Sequence, residues 1–152
     1  MARATMARDD FDQDATERAC APMLYFSHDS NAMDDIKLRR LKLRCGWDGI
    51  GRWWHVCEML ALERGHTIHF ETDEDRSMLS DELGLADDGC ASYVSTLADV
   101  GLIDPSMLSE GRICSRRMMD NAMRVGARKA AAAKGGKAKR DNAMAHLAGD
   151  ST

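Results

Sequence analysis

His66 and His69 are the first pair whose type and spacing invite a chemical reading, because imidazole is a common ligand for zinc. They lie in "HTIHF" (66–70), which reads as a short strand, and residues three apart in a strand point to opposite faces. No third ligand stands close in sequence, so both are expected to be structural. His28 and Asp29 adjoin as a base and its orienting carboxylate would, but no nucleophile with local context accompanies them. A cap or a loop-fixing role is expected there instead. Glu63, Glu71 and the acids of "TDED" (72–75) read as a solvated face and a helix start. "KGGKAKR" (134–140) lacks both the preceding strand and the Walker spacing of a phosphate-cradling loop. Cys20, Cys45, Cys57, Cys90 and Cys114 are odd in number and far apart, the pattern of reduced, mostly buried thiols. The expectation is no enzyme, no metal and no cofactor.

The chemistry that emerges is electrostatic. A net charge of −4 conceals strong segregation. Residues 1–35 carry three basic and eight acidic groups, and residues 36–44 five basic and none acidic. Residues 45–111 hold three basic and fourteen acidic groups, and residues 112–140 ten basic and one acidic. A partner meets these local fields, not their average. The ten cations are Arg112, Arg116, Arg117, Arg124, Arg128, Lys129, Lys134, Lys137, Lys139 and Arg140, with no aromatic residue among them. Such a segment neutralises phosphates and cannot stack on bases, so it predicts salt-sensitive, sequence-blind DNA binding. It lacks the Leu, Phe or Trp face that membrane insertion uses, so no membrane role is expected. Lys37 and Arg40, in the stripe with Arg39, Lys42 and Arg44, are read either as further phosphate contacts or as an ordinary solvated helix face.

The elements that position these groups follow from periodicity. A chain of 152 residues is one domain with a short tail. Aromatics supply only 5% of it, so the eleven methionines must take over packing that aromatics do elsewhere. Residues 1–22 are acidic without a sustained period and are expected to be disordered. A first helix is predicted over 34–45, capped by Asn31 and stopped by Gly46, with Leu38, Leu41 and Cys45 on one face. Ile50, Trp53, Trp54, Cys57, Leu60 and Ala61 recur at helical spacing and predict a second helix facing a core. Trp47, Trp53 and Trp54 are assigned to that core, Trp47 with an exposed edge suited to a partner.

Thr72 and Asp75 form a capping box for a third helix that closes at Gly84. A fourth, closed by Gly101, turns Cys90, Tyr93, Val94, Leu97 and Ala98 inward. "LID" (102–104) and "RICS" (112–115), split by a polar loop, predict a small β-hairpin. A last helix from about Ser115 docks through Met118, Met119, Ala122 and Met123 and frays beyond Gly126. This order is that of a winged helix-turn-helix with a small β-hairpin wing and a C-terminal helix, a mainly α (α+β) fold. Its domains are a disordered acidic N-terminus (1–22), a winged-helix domain (23–125) and a basic helical or disordered arm (126–152). The fourth helix, however, offers Asp87, Asp88, Ser92, Ser95, Thr96 and Asp99 and no cation, which argues against reading bases in the major groove.

Tyr25-Phe26, His28-Asp29, Asn31-Ala32, Asp34, Lys37, Gly46-Trp47, Gly49, Gly51 and Trp54 together carry a resemblance. The pattern resembles the N-terminal winged-helix domain of phage and prophage replication proteins, replisome organisers related to DnaD-like primosome components, a domain-of-unknown-function family. "LSDELGL" and "RKAAAAKGGKAKR" fit how such proteins continue. Ser30-Asn31-Ala32 has matching residues on both sides and is therefore native rather than the remnant of a tag. The resemblance implies a role in starting replication, with DNA, replication proteins and further copies of the chain as partners, in the cytoplasm of a bacterial host. The function expected is a non-enzymatic DNA-binding protein of phage or prophage replication initiation that holds DNA by its backbone. The alternative is an interaction or oligomerisation module whose acidic body binds a host replication or defence protein.

Overall fold

The computed structural model describes residues 12–149, in two units: Pro22–Met119, and residues 12–21 with 120–149. In the first unit a 3-10 turn, Ala32–Asp34, precedes the main helix. Asn31 makes no side-chain bond there. The cap is Asp35, whose carboxylate accepts the Lys37 N–H at 2.9 Å and starts α2, Ile36–Leu62. The two helices expected over 34–61 are thus both present, meeting within α2 at a kink with no loop between them. Gly46, at φ 67° and ψ −168°, makes the kink with a backbone conformation that costs other residues a steric clash. Beyond it, Ile50, Trp53, Cys57, Leu60 and Ala61 are buried as their spacing requires, with Trp54 half-buried beside them.

β1 (Ile68–His69) leads to α3 (Asp73–Leu83). Its capping box is complete: Asp75 N–H donates to Thr72 Oγ1 and Thr72 N–H to the Asp75 carboxylate, each at 3.0 Å. A short turn then opens α4 (Asp87–Asp99), which packs on α3 and α2 through Cys90, Tyr93, Val94 and Leu97.

The hairpin expected from "LID" and "RICS" does not form. Asp104 and Pro105 instead begin α5 (Pro105–Ser109), because the Asp104 carboxylate accepts the Ser106 N–H at 2.9 Å and proline suits a first helical position. β2 (Arg112–Ile113) pairs antiparallel with β1, with Ile68 opposite Ile113 and His69 opposite Arg112. Of the expected pairing there remains one bond, Asp104 N–H to the Cys114 carbonyl at 2.9 Å. The first unit is therefore mostly helical with a two-stranded antiparallel sheet whose strands flank α3–α5 in sequence.

In the second unit residues 12–20 form a helix, α1, where no order was expected; residues 1–11 of that expectation lie outside the described residues. Ala15 and Ala19 of α1 are buried against α6 (Arg116–Gly149) at Gly126. A Cβ at Gly126 would lie 2.5 Å from the Ala15 carbonyl oxygen and 2.7 Å from the Ala19 nitrogen. Only glycine permits this approach. α6 runs 34 residues and does not fray past Gly126. Alanine, lysine and arginine, the strongest helix formers, dominate its second half. Among the described residues no helix is long and apolar enough to cross a membrane.

Candidate nucleic-acid interface

The basic candidates fall into three groups. Arg112, Arg116 and Arg117 belong to the first unit, and two of them are engaged within it. Arg116 Nε donates to Asp104 at 2.8 Å, and this guanidinium, with Ser106, holds the Asp104 carboxyl well below the usual carboxylate range. Arg117 pairs with Asp29. Arg112 lies exposed on β2.

Arg124, Arg128, Lys129, Lys134, Lys137, Lys139 and Arg140 belong to the second unit, and all are exposed along α6. Ala122, Gly126 and Ala130, four residues apart, form the buried face of that helix. Arg124 and Arg128 share another face by the same spacing. From residue 131 to 149 every residue is exposed, so the lysines there surround the helix rather than line one side. That geometry gives a rod of positive charge with Asp120 and Asp141 as its carboxylates between residues 116 and 149.

Lys37 and Arg40 make a third group, exposed on the first half of α2. Lys37 lies over Gly101, its Cε 3.6 Å from where a Cβ there would stand. Arg44, in the same stripe, pairs with Asp99 of α4 at 3.5 Å. Lys42 Nζ sits 4.2 Å from the centre of the Trp47 ring. Trp47 is 61% exposed, so its assignment to the core is corrected: the kink at Gly46 turns it away from the stripe that Trp53 follows.

The remaining sequence candidates have structural roles. His66 is fully buried and its Nδ1 meets the Leu60 carbonyl at 2.9 Å, while His69 is exposed. The His28 ring rests 4.2 Å from Trp54, and Asp29 holds Arg117, so this pair fixes the loop ahead of α2. Burial pushes the Cys57 thiol up to about 12 and raises Cys90 and Cys114 as well, which disfavours a reactive thiolate. Among the described residues no group of His, Cys, Asp or Glu is arranged to hold a metal ion. The exposed residues of α4 include Asp87, Asp88, Ala91, Ser92, Ser95 and Asp99.

A mostly helical domain with a minimal sheet and segregated surface charge is the class these features define. A family model described as Lin1244/Lin1753-like, N-terminal, matches residues 25–117, and the chain belongs to that family. Its description names neither a replisome organiser nor a DnaD-like protein. Searches of curated proteins and of solved structures return no match.

Proposed function

We propose that the protein is a non-enzymatic DNA-binding protein of phage or prophage replication initiation, acting in the cytoplasm of a bacterial host. It holds DNA by the phosphate backbone through α6. One observation carries this reading: the seven cations from Arg124 to Arg140 are all exposed on a single helix. Charge concentrated in this way serves counterion release on a polyanion better than it serves solubility. Helices α3 and α4, joined by a short turn, would be the helix-turn-helix of a winged-helix relative, with β1 and β2 as a reduced wing. The acidic surface of α4 keeps that motif away from the major groove, so the contacts fall to α6 and to Lys37 and Arg40.

Equilibrium binding to several duplexes of unrelated sequence tests the reading. Affinities within about threefold of one another, all falling with salt, support it. Binding to one sequence alone, or to none at low salt, removes it. The same acidic surface favours a second reading, in which α3 and α4 dock a basic face of a replication or defence protein.

A further inference from the structure

The first half of α2 has an outward face with a composition of its own. Leu38 and Leu41 are buried and Cys45 half-buried on one side. At 3.6 residues per turn the opposite side carries Ile36, Arg39, Arg40 and Leu43. Leu43 is 87% exposed and Ile36, on the same side, 56%, so apolar surface stands among the cations. Gly46 then turns the chain so that Trp47 is exposed as well, its ring beside Lys42. Residues 36–44 hold five cations and no carboxylate, of which Arg44 is taken by Asp99. Lys42 beside an exposed indole, with Arg39 and Arg40 flanking an exposed leucine, is more than an ordinary solvated face requires.

We propose that this half of α2 binds single-stranded nucleic acid, Trp47 stacking on a base while Lys42 beside it and Arg39, one turn before Lys42, hold the adjoining phosphates, and Arg40 meets the strand beyond Leu43. The proposal rests on the nucleic-acid reading above and adds a strand preference to it. A tryptophan on a convex helix surface reaches the π-face of a base only when that base is unstacked, as in a single strand. Leu43 supplies apolar surface for a thymine methyl or a sugar. α6 has cations and no aromatic residue, so it serves duplex and single strand alike. The two surfaces therefore divide the work: α6 supplies attraction, and α2 supplies discrimination.

The test uses the full chain with a fluorescent oligo-dT and a duplex of matched length, at one low salt concentration and then across a salt series. Trp47→Ala should weaken oligo-dT binding about tenfold or more and change duplex binding less than about twofold. Arg39→Gln with Arg40→Gln, which leaves the indole in place, should also weaken oligo-dT binding and lower its salt slope by about 0.7 for each phosphate no longer neutralised. If both variants bind oligo-dT like the parent while the parent binds duplex, the α2 proposal fails and the α6 reading stands. If the parent binds neither form, both fail. An acidic leucine-containing peptide that binds the parent where oligo-dT does not would make this face a protein-docking surface and overturn the proposal.

Discussion

Arg117, on the first turn of α6, forms an ion pair with Asp29, 88 residues earlier in the chain. A cation that the sequence offers to phosphates is in this way already matched inside the protein, as Arg116 is by Asp104. Partial neutralisation lowers what each gains by meeting DNA. Arg124→Ala with Arg128→Ala should therefore flatten the duplex log–log salt slope by about 0.9 for each phosphate no longer neutralised. Arg116→Ala with Arg117→Ala should flatten it by less than half as much. Equal effects from the two pairs, measured by anisotropy across a salt series, would contradict the division.

The Tyr93 hydroxyl donates to the Gly49 carbonyl at 2.6 Å, tying α4 to α2 inside the core. Burial raises the phenol's pKa, so the group remains a neutral donor throughout the working range. Tyr93→Phe leaves that carbonyl without its partner and should cost about 1–2 kcal/mol. Thermal melting should fall by a few degrees, and an unchanged Tm would show that the bond contributes nothing net.

Gly126 gives a prediction with an unusual sign. Replacing glycine by alanine inside a helix normally stabilises it by about 1 kcal/mol. Here the added Cβ would press on the backbone of α1 at Ala15 and Ala19. Gly126→Ala should reduce hydrogen-exchange protection of residues 12–20 and leave that of the core residues between 36 and 113 unchanged. Increased protection of α1 would contradict the close packing.

His55 lies between two carboxylates, its Nδ1 3.0 Å from Glu58 and its Nε2 2.6 Å from Glu82 of α3. The bonds to Glu58 and then Glu82 raise its pKa above 6.5. A raised folded-state pKa adds stability that is fully present below the unfolded value and is lost as pH rises through the folded one. With the ring 40% exposed, the effect should stay below about 1 kcal/mol. Urea midpoints should fall modestly as pH rises above about 6.5, and Glu82→Gln should reduce that fall. A pH-independent midpoint would show that the imidazolium does not link α2 to α3.

How much of this was legible depended on whether the signal was local. The capping box of Thr72 with Asp75, the helix-breaking Gly46 and the stripe from Ile50 to Ala61 are set within a few residues, and each is present in the structure. The partner of β2 is not local: Ile113 meets Ile68 across three intervening helices, whereas a sequence reading looks for the neighbouring run. α1 was missed because its packing uses Ala15, Ala19 and a glycine, which leave no large apolar period to detect. At the candidate site, composition gave the cations but neither their partners Asp29 and Asp104 nor the outward turn of Trp47. Those depend on tertiary packing and on the exit angle at Gly46.

The proposed hold of the exposed α6 cations on the DNA backbone can be measured by removing them. It is tested most directly by replacing Arg128, Lys137, Lys139 and Arg140 with glutamine, which keeps helix propensity while removing charge. Duplex binding by this variant and by the parent would be followed across a salt series. Backbone contacts by these four residues predict weaker binding and a slope flatter by about three to four units, at about 0.9 for each phosphate contact. A variant whose affinity and slope match those of the parent would contradict it.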